Sequence, residues 1–196
     1  MIRQALADVS ARADEFSAMD AVCGDGDHGT AMVEALTAIN ESAQDAGEFK
    51  TMLGNMAMAA MSRSCGSTST LIGAFFLGMS GQAEGDELPS DHVKIMFGGG
   101  LESVKKNTRA EPGDKTLMDA LVPAVEALQG NSNDLSELFK QAAFAANRGA
   151  ESTRNMKASF GRARNLGDRS IGSADPGAHS WACMFNAFSN VLQKNF

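Results

Sequence analysis

C-G-S-T-S-T-L-I-G-A-F-F-L-G-M, Cys65 to Met79, is the stretch whose reading decides the fold. It opens with a small hydroxyl-rich turn, Cys65 to Thr70, and continues into the nearly all-apolar Leu71 to Met79. Glycines and other small residues inside that run permit close approach of neighbouring backbones, so it reads as a buried helix. It is the most apolar run in the chain and far shorter than the roughly 20 residues needed to span a bilayer.

Working outward, the surrounding segments carry apolar residues at helical spacing. Upstream, Ile2, Ala5, Leu6, Val9, Ala13 and Phe16 predict a helix over residues 2–18. Met32, Val33, Leu36, Ile39 and Ala43 predict a second, starting near Gly29–Thr30 and ending near Gly47. Phe49, Met52, Leu53, Met56 and Ala60 predict a third over 49–64, where the methionines are core fillers rather than a soft-metal site. Downstream, turn signals at Gly85, Asp86 and Pro89 precede a helix capped near Ser90 or Asp91, with Val93, Met96, Phe97, Leu101 and Val104 on its apolar face. Gly98-Gly99-Gly100 lies within that face and follows no strand, which points to close packing or a bend rather than a dinucleotide loop. Leu117, Leu121, Val125 and Leu128 mark a helix bent at Pro123. N-S-N-D-L caps a long helix carrying Leu135, Leu138, Phe139, Ala142, Ala146 and Met156. Trp181, Met184, Phe185, Phe188, Val191 and Leu192 belong to a last helix with Pro176 in its first turn. With no strand, repeat or linker, the expectation is one all-α domain over residues 1–196, a bundle of about eight antiparallel helices.

Composition narrows the function classes. A length of 196 residues suffices for a real core, and a formal charge of −7 argues against nucleic acid or an anionic membrane as partner. Twelve Met with no Tyr and one Trp suit helix packed on helix. Cys23, Cys65 and Cys183 are widely spaced and odd in number, as expected of buried thiols in a reducing compartment. The first ten residues hold no apolar core of signal-peptide length, so a soluble cytoplasmic protein is expected.

The densest chemistry is in D-A-V-C-G-D-G-D-H-G-T-A-M, Asp20 to Met32. Asp20, Asp25 and Asp27 stand within eight positions, a repulsive arrangement unless a cation neutralises it. A few carboxylates with positions left open for phosphate describe Mg²⁺ better than Ca²⁺, and no register fits an EF-hand. Gly24, Gly26 and Gly29 suit a tight turn and a close phosphate, and a helix N-terminus beside them favours an anion. The same residues are also ordinary turn chemistry. His28 either orients this loop or touches phosphate.

Between Arg148 and Arg169 stand six basic residues, Arg148, Arg154, Lys157, Arg162, Arg164 and Arg169, against Glu151 and Asp168 alone. The local reversal suggests an anion site, with surface ion pairs expected for most of the six. Residues 158–175 form a Gly- and Arg-rich loop too long to lack a function in a compact domain. The inventory suggests metal-assisted nucleotide binding and phosphoryl transfer, without a P-loop sequence.

Four stretches, taken in order, resemble the nucleotide-binding DhaL-type subunit or domain of dihydroxyacetone kinases: Asp20–Met32, G-S-T-S-T-L-I-G-A-F-F, A-E-P-G-D-K-T-L-M-D-A-L-V-P, and G-R-A-R-N-L-G-D-R-S-I-G-S-A-D-P-G-A. The resemblance implies an eight-helix barrel with the nucleotide, ADP or ATP, at one end. It implies that Asp20, Asp25 and Asp27 hold two Mg²⁺ ions, with His28, Gly29 and Thr30 beside the phosphates. Ser67 and Thr68 would contact the nucleotide, Thr108 and Leu117 would flank the base, and Arg169, Asp175, Pro176 and Gly177 would close over it. It further implies a DhaK-type partner subunit that carries a short ketose, and a phosphoryl donor that is either ATP or ADP recharged by a phosphoenolpyruvate-dependent phosphocarrier. The chain departs from the family pattern at Ala31, at Cys65–Ser69 and at Gly172–Ala178, which bears on nucleotide affinity and leaves a four-carbon keto-sugar open as the substrate. A nucleotide-dependent regulatory module without kinase activity is the alternative from another class.

Overall fold

The computed structural model describes residues 1–43, 47–63, 66–85 and 87–194. Cys65 and the turn signal at Asp86 lie outside the described residues. Among the described residues nine α-helices follow one another: α1 (Ile2–Ala11), α2 (Ala13–Ala21), α3 (His28–Ser42), α4 (Phe49–Arg63), α5 (Ser67–Gln82), α6 (Ser90–Asn107), α7 (Met118–Leu128), α8 (Leu135–Ser152) and α9 (Pro176–Lys194). Among the described residues there is no strand.

The helices close into a ring. Each of α3 to α8 packs on the next, and α1 packs on both α3 and α9, with α2 wedged between the same two. Helices α1 and α2 together fill one position, so the nine segments make an eight-membered antiparallel barrel. The break falls at Arg12 (φ −117°, ψ 10°), whose side chain turns to Glu15 at 2.7 and 2.8 Å and lies over the Phe16 ring. No Pro or Gly marks it, which is why residues 2–18 read as a single helix.

The apolar stripes land in the core. On α6, Met96, Phe97, Leu101 and Val104 are buried, while Asp91 in the first turn and Lys105 and Lys106 in the last complement the helix dipole. Residue α5 positions Ile72, Ala74, Phe75, Phe76 and Met79 are all buried, as its composition predicts. Gly99 permits the α5–α6 contact, since a Cβ there would sit 2.8 Å from the Gly78 carbonyl oxygen. Phe75 and Phe97 meet edge-on at 5.6 Å, Phe97 meets Phe139 at 5.2 Å, and Phe75 meets Trp181 at 5.1 Å. Such pairs add roughly 0.5–1.5 kcal/mol each beyond area burial.

Helix α8 stops earlier than its sequence suggests. The hydroxyls of Ser152 and Thr153 bond back to the Gly149 and Ala150 carbonyls at 2.7 and 2.6 Å, taking acceptors that a longer helix would use. A 3₁₀ turn, Thr153–Asn155, follows, and Met156 leaves in an extended conformation. The Arg-rich loop contains a second 3₁₀ segment, Arg162–Ser170, kinked at Gly167 (φ 56°). Helix α7 runs on through Pro123. No helix among the described residues is long and apolar enough to cross a membrane.

Candidate functional site

Up-and-down order places alternate helix starts at the same end of the barrel. A cleft of about 260 Å³ opens there, lined by first-turn residues of four helices: His28 of α3, Ser67 and Thr68 of α5, Met118 of α7, and Pro176 and Gly177 of α9. The exits of α2 (Asp20) and α6 (Thr108) border the same cleft. Four positive dipole ends face one volume, a favourable setting for an anion, while the Gly29, Met118 and Ala178 amides are engaged by the Ser17, Thr116 and Asp175 side chains.

The carboxylate loop forms one wall. Carboxylate oxygens of Asp20, Asp25 and Asp27 lie within 4.8 Å of one another, and their chemistry fits a hard divalent cation. Asp20 also shapes the loop, because its Oδ2 accepts from the Gly26 and Asp27 amides at 2.9 and 3.2 Å. Gly26 adopts φ +76°, a left-handed turn that a side chain would disfavour. Arg162 reaches across from the Arg-rich loop to pair with Asp25. Its hydrogen bond holds the Asp25 carboxyl below the usual range, whereas burial and then the Asp25 and Asp20 charges push Asp27 up. A cation bound among the three would relieve that repulsion.

His28 links two walls. Ser180 Oγ donates to the Gly177 carbonyl at 3.0 Å and so accepts from His28 Nε2 at 2.9 Å. The Nδ1 atom then accepts from Thr68 Oγ1 at 3.3 Å. Burial lowers the His28 pKa to about 4 against the pull of Asp20, which keeps the ring neutral in this relay. With its proton committed to His28, Thr68 faces the cleft as an acceptor.

Asp175 caps the start of α9, accepting from the Ala178 amide at 2.7 Å. Burial raises its pKa to about 7, with the Ala178 bond opposing. Leu117 and Gly177 are in close contact, since a Cβ on Gly177 would meet that of Leu117 at 3.4 Å. Phe160 and Trp181 supply apolar surface beside them.

Of the residues singled out from sequence, Asp20, Asp27, His28, Ser67, Thr68, Thr108, Leu117, Asp175, Pro176 and Gly177 line the cleft together. Asp25 joins through the carboxylate cluster. Three stand elsewhere. Gly29 is buried against the α2 backbone at Ala13 and donates its amide to Ser17 Oγ at 3.2 Å. Thr30 and Arg169 are exposed outside the lining. Among the other basic residues, Arg148 lies over Phe144, Arg154 pairs with Glu151, and Lys157 pairs with Asp168. Cys23, Phe160, Trp181 and Lys115 also line the cleft, and no spacing rule identifies them.

Residues 22–190 match the DAK2 domain. The chain belongs to the DAK2 domain family, as a DhaL-type member. Among its DhaL relatives, the ADP-binding subunit DhaL of an Escherichia coli K12 PEP-dependent dihydroxyacetone kinase is 36% identical over 182 residues, covering 87% of this chain and 84% of the relative. An L-erythrulose kinase of Pectobacterium atrosepticum is 35% identical over 195 residues, 95% of this chain but 33% of that enzyme. The crystal structure of the dihydroxyacetone kinase of C. freundii superposes with a TM-score of 0.77 at 25% identity, covering 97% of this DhaL-type chain and 33% of the kinase. The chain thus spans most of the length of DhaL subunits and a third of the larger kinases.

Proposed function

We propose that this chain is the nucleotide-binding subunit of a kinase, transferring a phosphoryl group to a short ketose held by a separate DhaK-type subunit. The observation that carries this reading is the convergence of four helix N-termini on a mouth that also holds three carboxylates. Amide dipoles suit phosphate oxygens, and the carboxylates suit Mg²⁺. Two such ions, when bound, would supply charge neutralisation for phosphoryl transfer. Asp20, Asp25 and Asp27 would hold them, Thr68 and the α9 start would position the nucleotide, and Phe160 with Leu117 would cover its apolar part. Relatives named for dihydroxyacetone and for erythrulose support a three- or four-carbon ketose as the acceptor.

In the reaction, the ketose hydroxyl oxygen forms a bond to phosphorus, the bond from phosphorus to the nucleotide's bridging oxygen breaks, and the hydroxyl proton passes to solvent water. On this reading the partner subunit holds the ketose, so catalysis requires it. The donor is ATP, or ADP that stays bound and is recharged by a phosphoenolpyruvate-dependent phosphocarrier.

The nucleotide carried by freshly purified protein, released by denaturation and identified by chromatography, tests this directly. Stoichiometric ADP that exchanges slowly with labelled ATP supports the recharged form, and a freely exchanging site for Mg·ATP supports the ATP-consuming form. Failure to bind either nucleotide overturns the proposal. Product ester formed from ketose and Mg·ATP by this chain alone overturns the need for a partner.

A further inference from the structure

Lys115 lies in the polar loop before α7, is only 2% exposed, and takes no part in the phosphate or metal assignments above. Its Nζ donates to four backbone carbonyls: Thr153 at 2.8 Å, Met156 at 3.2 Å, Ser170 at 2.8 Å and Ser173 at 2.6 Å. An ammonium has three protons, so four converging oxygens make a cage that satisfies it fully in the absence of water. Two carbonyls come from the chain entering the Arg-rich loop and two from the chain leaving it. Between them runs 157–169, which carries Phe160 and Arg162 to the cleft.

The backbone is committed to the same arrangement. Lys115 sits at φ 62°, a left-handed conformation unusual for a residue with a side chain. Buried Asp119 enforces it by accepting from the Gly113 and Thr116 amides at 2.6 and 2.7 Å. The loop base is tied further by Gly172 N to Arg154 O at 2.8 Å and by Asp175 N to Thr153 Oγ1 at 3.0 Å.

We propose that Lys115 is a positioning residue: its ammonium clasps the two ends of the 157–169 loop and so sets Phe160 and Arg162 over the cleft. Its ammonium is engaged by the four carbonyls. It acts through the loop, as a monovalent cation would in a ring of carbonyls. The ligand that the closed loop serves rests on the nucleotide reading above; the clasp does not.

Trypsin is a suitable probe because the loop offers Arg162, Arg164 and Arg169 as cleavage sites. Under native conditions, Lys115→Met is expected to be cut in this loop at least about tenfold faster than wild type, with helical circular dichroism retained, and to bind Mg·ADP at least about tenfold more weakly. Loop cleavage at the wild-type rate overturns the proposal, as does cleavage that rises only in step with loss of the whole helical signal. In Lys115→Ala, ammonium chloride is expected to slow loop cleavage relative to sodium chloride. Equal rates in the two salts would assign the effect to lost packing and overturn the carbonyl cage. If Lys115→Met does not fold, Lys115→Arg replaces it, since a planar fork keeps the charge but cannot meet four oxygens converging on one point. Should wild type bind no ADP, the nucleotide reading fails and the cleavage rates alone decide the clasp.

Discussion

The two ends of the barrel are built from the same helices and differ in nearly every physical respect. At one end, four helix N-termini, three carboxylates and an Arg-bearing loop surround a polar cleft. At the other, a cavity of about 430 Å³ is lined almost wholly by Met, Leu, Ile, Val and Phe, from Met1 and Phe49 to Leu135 and Leu192. The first end spends its residues on charge and backbone geometry, the second on apolar contact. Stability and binding should therefore respond to mutation almost independently, since sites far apart with no shared partner act additively.

The sharpest break of that comparison is Asp27→Ala. It removes one of the three clustered carboxylates and is expected to weaken Mg²⁺-dependent ADP binding by at least about 100-fold, while the melting temperature stays near wild type. Isothermal titration beside a thermal melt checks both halves, and wild-type affinity in the variant sinks the metal assignment.

Phe97→Ala should do the reverse. Phe97 is 5% exposed and packs against Phe75, Phe139, Phe185 and Phe188. Its loss is expected to cost about 3–5 kcal/mol in urea unfolding, with ADP affinity at temperatures where the variant is folded changed little. A large affinity loss in fully folded variant would mean that the two ends are coupled through Trp181, which touches both Phe75 and the cleft.

A smaller effect should come from His179, one turn into α9. It is buried, its Nε2 has no hydrogen-bond partner, and burial lowers its pKa. A histidine depressed in the folded state contributes stability that is present above its ordinary pKa near 6.5 and is lost as pH falls below that value. His28 and Asp175 also titrate differently on folding, so the test is a difference. In melts between pH 8 and about pH 5 wild type should lose stability relative to His179→Gln as pH falls, and identical slopes remove His179 as a contributor.

The apolar end was the easier to read from sequence. Helical periodicity found Phe97, Leu101, Val104, Phe139 and Phe188, because burial repeats every 3.6 residues whatever the partner helix. The polar end was legible where its residues are neighbours in the chain, as in Asp20–His28 and Asp175–Gly177. It was not legible where function depends on contacts across the barrel. The bond from His28 to Ser180 spans 152 positions, and the cage around Lys115 draws on carbonyls, which every residue carries alike. Gly29 shows what a glycine-rich loop leaves unread: its missing side chain accommodates the Ala13 backbone, a contact that no local pattern announces. The break at Arg12 escaped because Arg is a good helix former and nothing local opposes continuation.

The alternation of helix direction also fixes where anything joined to this chain must begin. Met1 and Leu192 both border the apolar cavity, at the end away from the cleft. The 18 residues of α6, which runs between the two ends, span about 27 Å. A module fused at either terminus therefore needs a tether of about eight extended residues before it can face the cleft. A shorter tether would hold it permanently on the far side, so tether length alone could switch a fused acceptor domain between reach and exclusion.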